Sequence, residues 1–156
     1  MRQFMKFLHT VSSAGIVGGI VAYALILLYA PQGSAQDYAD MRQTIAAVCQ
    51  YMIMPALGIS LVTGLLAMAV HRPFQELRWV WVKALLGISM FEATLAIIQA
   101  KGADAARISA KIAAGEPLQG DLAATISSEW TTLFAILAIS IANYVLGVWR
   151  PPLAMR

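Results

Sequence analysis

Four polar side chains stand inside or at the edges of long apolar runs, and they are the residues through which this chain could do chemistry: His9, His71, Lys83 and Asn143. A polar group inside a bilayer is costly, so each is a functional candidate by default. The imidazole of His9 can ligate an iron or relay protons near neutral pH; it can also make an ordinary hydrogen-bonded helix contact. His71, beside Arg72 and Pro73, suits the membrane interface and is a weak second candidate for a metal ligand. Lys83 either turns its ammonium into the interior or snorkels to the headgroups beside Trp79 and Trp81. Met68 adds a thioether at similar depth, and Cys49 is the only cysteine, which rules out a disulfide within the chain. Two histidines without an acidic cluster do not suit a zinc or di-iron centre. Glu92 behaves differently. It follows Lys83 by nine residues, which places it ~180° around a helix and ~13 Å along it. The two cannot both face the centre of one bundle, so Glu92 either sits against Ser89 and Gln99 in a structural role or meets a second subunit.

The elements that must position these residues follow from where charges are absent. Apolar runs at 7–30, 44–70, 79–100 and 130–149 each have about the 20 residues needed to cross ~30 Å of hydrocarbon. Lipid demands that every backbone polar group be satisfied internally, so the runs must be helices. The expected fold is all-α: a single domain over 1–156, an integral membrane four-helix antiparallel bundle. Its orientation follows from the bases. With the N-terminus inside, Arg2, Lys6, Arg72, Arg78, Lys83, Arg150 and Arg156 lie on or near the cytoplasmic side, against Arg42, Lys101, Arg107 and Lys111 outside. That bias predicts N-in and C-in. Trp79, Trp81 and Trp149 would mark the inner interface, with Trp130 and Tyr29 at the outer one. This topology brings His9, His71, Lys83 and Asn143 to the cytoplasmic half of the bilayer.

Small residues indicate how the spans approach. Gly15-Ile-Val-Gly-Gly19 has the spacing that lets two helices pack closely, and Ser12, Gly15, Gly19 and Ala22 form one narrow stripe. Such a stripe serves packing or leaves room for a flat ligand. Pro55 interrupts the second span and predicts a kink relieved by its neighbours. The outer segment 101–128 is alanine-rich. A helix over Ala103–Ala114, stopped by Gly115 and Pro117, would carry Asp104, Arg107 and Lys111 on one face. It reads as a solvated extension of the third span or as a partner-binding surface.

Composition excludes several classes. The chain is 60% hydrophobic and 12% charged, against about 25% charged in a typical soluble domain. A net charge of +3 reflects the basic bias of membrane loops and gives no footprint for nucleic acid. The first apolar stretch is too long for a cleaved signal peptide and reads as a retained helix.

Several landmarks together resemble a known family. Phe-Leu-His9 opens the first span, Met54-Pro55 precedes Thr63-Gly64 in the second, and Trp79-Val-Trp-Val-Lys83 starts the third. In this order they resemble the HemJ-type membrane protoporphyrinogen oxidases, small bacterial four-helix proteins that bind haem b. Ser128-Glu129 before Thr132-Leu133 is faintly similar to the start of that family's last helix. The order of landmarks is also similar to an uncharacterised family of bacterial four-helix membrane proteins. The chain departs from the HemJ-type pattern where Ser12-Ser13-Ala14-Gly15 replaces an expected tryptophan, and in a longer outer segment.

The resemblance implies a multi-pass protein of the bacterial cytoplasmic (inner) membrane, with haem b as cofactor. It implies His9 as axial ligand to the haem iron, Lys83 as the catalytic or propionate-binding group, and Asn143 beside them. The reaction implied is oxidation of protoporphyrinogen IX, a porphyrin precursor, with electrons passed to quinone or a respiratory partner. The rival expectation is a non-enzymatic accessory or scaffold protein. It would use Gly15, Gly19 and Glu92 to form a homo-oligomer or to grip another membrane subunit. A small transporter is less consistent, because no span has a continuous polar face and internal symmetry is absent.

Overall fold

The computed structural model describes residues 2–70 and 76–149. Among them the chain forms α1 (Arg2–Tyr29), α2 (Ala35–Val48), α3 (Met54–Val70), α4 (Arg78–Ala93), α5 (Ala100–Ala113), α6 (Gln119–Ile126) and α7 (Glu129–Trp149). A π-helical segment at Cys49–Ile53 joins α2 to α3, and another at Thr94–Gln99 joins α4 to α5. The result is four helices long and apolar enough to cross a membrane: Gln3–Tyr29, Ala35–Val70, Arg78–Ala113 and Gln119–Trp149.

The second helix begins earlier than the apolar run that predicts it. Ser34 caps it reciprocally with Asp37: the Ser34 hydroxyl accepts from the Asp37 N–H at 3.0 Å, and the Ser34 N–H donates to the Asp37 carboxylate at 3.1 Å. This capping box satisfies two amides that a helix start leaves unpaired. A 36-residue helix is about 54 Å long, well beyond the ~30 Å of hydrocarbon. The excess is α2. The third helix overshoots in the same way through α5, so the alanine-rich segment continues the third span as helix. The two extensions pack along each other, with Ala39, Arg42 and Ile45 of α2 buried and Gly102, Ala105 and Ser109 of α5 buried. Small residues on α5 permit that closeness. Its polar face stays exposed, where Arg107 pairs with Asp104 at 2.7 Å. Gly115 ends the unit with φ of 96°, a left-handed conformation that glycine adopts without a Cβ clash.

Pro55 explains the first π-helical segment. Proline has no N–H, and its ring collides with the carbonyl four residues earlier, here Tyr51. Widening the preceding turn to five residues removes the conflict, and the Met54 N–H donates to the Cys49 carbonyl.

The bundle is antiparallel. α1 lies against α3 where Gly15 faces Ala56 and Gly19 faces Ile53. A Cβ on Gly19 would sit 2.6 Å from Ile53 Cγ1, so only glycine fits. α4 approaches α3 through Gly87 and Leu61, and α7 through Ser140, which lies 3.5 Å from the Met90 sulfur. Ile16, Ile20, Ile45, Ile53, Leu57, Met90, Ile98, Leu133 and Ile136 form the core. The outer surface is also apolar: Phe4, Phe7, Leu28, Val62, Leu85, Phe134 and Val148 are all exposed. Water would not tolerate that surface, but lipid does.

Candidate functional site

At the end of the bundle that carries the N-terminus of α1, His9 is half-buried against α3. Its Nδ1 lies 2.9 Å from the Ser60 carbonyl and 3.1 Å from Thr63 Oγ1. A carbonyl only accepts, so Nδ1 carries the proton and donates. Thr63 uses its own proton on the Ile59 carbonyl at 2.6 Å, leaving its oxygen as a second acceptor for His9. In the neutral ring, this tautomer leaves the lone pair on Nε2. Gly64 makes room for the ring, since a Cβ there would meet His9 Cε1 at 3.3 Å. Serine, threonine and glycine at 60, 63 and 64 thus form one cradle, one helical turn long.

Lys83 lies across the bundle on α4 and is half-buried. It points at α7: a Cβ on Gly147 would come within 2.8 Å of Lys83 Nζ. Asn143, one turn before Gly147, donates to the Ile139 carbonyl of its own helix at 3.3 Å. Of the residues singled out for chemistry, the structure places His9 against α3 and Lys83 against α7 at the same end of the bundle, with Asn143 one turn from Gly147. His71 lies outside the described residues. Glu92 is exposed on the opposite side of α4 from Lys83.

A second polar cluster, at the far end of the bundle, was not anticipated from sequence. Glu129 opens α7, and its Oε1 accepts from Arg42 at 2.5 Å and from the Tyr23 hydroxyl at 2.5 Å. Arg42 is 3% exposed. It also donates to the Tyr38 hydroxyl at 2.6 and 3.0 Å, with its guanidinium stacked 5.0 Å over the Tyr38 ring. The cluster joins α1, α2 and α7. A cavity of about 20 Å³ beside Glu129, bordered by Lys101, Ser128 and Thr132, has room for one water. In the sequence Arg42 reads as a loop base and Glu129 as a helix start. The available signal was that opposite charges sit at one depth on neighbouring spans.

Whether these residues suit haem is a question of donor chemistry. An axial histidine normally donates its other ring N–H to a carbonyl, which fixes its orientation and tautomer. His9 has that arrangement through Ser60, and Lys83 offers a cation for a propionate at the same end. Among the described residues no group of three or more His, Cys, Asp or Glu could hold a metal ion; haem iron needs only axial ligands, because the macrocycle supplies the rest.

Four long apolar helices, an apolar exterior and polar residues gathered at the two ends define a multi-pass integral membrane protein. The chain belongs to a family of predicted integral membrane proteins (DUF2269), which matches residues 3–151. No curated protein and no solved structure matches it.

Proposed function

We propose that the protein binds haem b in the bacterial cytoplasmic membrane, with His9 as axial ligand through Nε2 and Lys83 as the partner of a haem propionate. The observation that supports this reading is the His9 Nδ1–Ser60 carbonyl bond of 2.9 Å, the kind of outer contact that iron-ligating imidazoles commonly make. Haem would supply one-electron redox chemistry, with its potential set by the ligand and its surroundings. The chain's own residues orient and neutralise: Ser60 and Thr63 hold the ring, and Gly64 admits it. Lys83 offers a compact positive charge to a carboxylate. The likeness to the HemJ-type family extends the reading to oxidation of protoporphyrinogen IX, with electrons passed to quinone or a respiratory partner. Lys83 would there hold a porphyrin carboxylate or move a proton.

The test is an absorption spectrum of protein purified in mild detergent, oxidised and then dithionite-reduced, with haem measured as its pyridine complex. The reading expects a Soret band, sharp reduced α and β bands, and about one haem per chain. A protein that is colourless, and stays so after haem is added, would sink it and favour the non-enzymatic accessory role.

A further inference from the structure

The outward face of α4 carries a seam that the fold leaves unused. Leu85, Ser89 and Glu92 of α4 are spaced by four and three residues, the a/d repeat of a coiled coil, and all three are exposed, as is Ala96 in the π-helical segment that follows. Lys83 lies on the opposite side of the helix, so the seam is separate from the His9 cradle. Glu92 is roughly 4 Å from the midpoint of the apolar run at 79–100, at a depth where an exposed carboxyl meets hydrocarbon. Neither Ser89 nor Glu92 has a hydrogen-bond or ion-pair partner among the described residues.

We infer that this seam is the interface with a second copy of the chain, related by a two-fold axis along the membrane normal. Two copies inserted in the same orientation meet through parallel α4 helices, each residue of the seam at the depth of its counterpart. That arrangement is self-complementary. The Ser89 hydroxyl and the Glu92 carboxyl lie one turn apart on the exposed face, so across the two-fold axis the long glutamate side chain of one copy can reach the serine hydroxyl of the other. Serine and alanine in the seam let the two backbones approach closely. A polar residue at one seam position also fixes register and oligomeric state. The interface is independent of haem binding.

The experiment measures association in vesicles of phosphatidylethanolamine and phosphatidylglycerol. Singly labelled full-length protein is diluted with lipid, and the oligomeric state is read by energy transfer. Wild type is expected to dimerise. Glu92→Leu should weaken dimerisation at least tenfold and Ser89→Ala about threefold, while Glu92→Gln, whose amide both donates and accepts, should retain most of it. Crosslinking covers the chance that Glu92→Leu misfolds: Leu85→Cys should form an inter-chain disulfide, whereas Val62→Cys, exposed on α3, should not. The native Cys49 is buried and does not interfere. Monomeric wild type, unchanged dimerisation in Glu92→Leu, or a disulfide in Val62→Cys but not in Leu85→Cys would overturn the proposal. So would a monomer that binds a different membrane subunit at Glu92.

Discussion

Gly19 and Gly58 are both helical glycines of the spans, yet Gly19 is buried and Gly58 faces open space, which gives opposite expectations. A methyl at Gly19 runs into Ile53 at 2.6 Å, while a methyl at Gly58 meets nothing within 4 Å. Gly19→Ala should therefore destabilise by about 1–3 kcal/mol through overpacking. Gly58→Ala should be neutral or gain up to ~1 kcal/mol of helix propensity. Thermal unfolding in one detergent compares them, and equal effects would show that α1 and α3 do not meet as described. The Gly15-Gly19 spacing was legible because close approach leaves a direct mark in sequence. The His9 cradle was less so: Ser60, Thr63 and Gly64 act through a carbonyl, a hydroxyl and an absent Cβ, and only the relative rotation of α1 and α3 brings them to the imidazole.

At the scale of elements, the Arg42–Glu129 pair locks the start of α7 to α2, with Tyr23 tying in α1. Breaking a buried pair leaves a stranded charge, whereas replacing both partners does not. Glu129→Leu alone should cost about 3–5 kcal/mol, and the Arg42→Met/Glu129→Leu double variant clearly less. A double-mutant cycle on unfolding temperature decides this; additive losses would mean the two charges do not act as a pair. The helix start at Ala35 gives a second expectation. Ser34→Ala removes the capping box and should cost about 1 kcal/mol, faster amide exchange being confined to residues 35–39. Exchange spread evenly along α2 and α3 would contradict that local role. Sequence reading placed the start of this helix at Thr44 because hydropathy marks only where lipid begins. Ser34 and Asp37 lie in a polar stretch, where the capping pattern alone carries the signal.

For the whole molecule, four crossings were legible because a bilayer imposes a length and a hydropathy that few other settings demand. The packed pair of extensions was not, since α2 and α5 are polar enough to resemble loops and their contact joins residues far apart in the chain. Orientation makes its own prediction. In intact cells, a membrane-impermeant maleimide should label Gly120→Cys in α6, and should label Lys6→Cys only after permeabilisation. The reverse pattern would invert the bundle and move the His9 end to the outside. The account rests most heavily on His9, and the most direct test is His9→Gly, purified with and without added imidazole and with haem quantified each time. The expected result is loss of most of the haem and its recovery with imidazole, which enters the vacated space as a surrogate ligand. Wild-type haem content and an unchanged spectrum in His9→Gly without imidazole would contradict it.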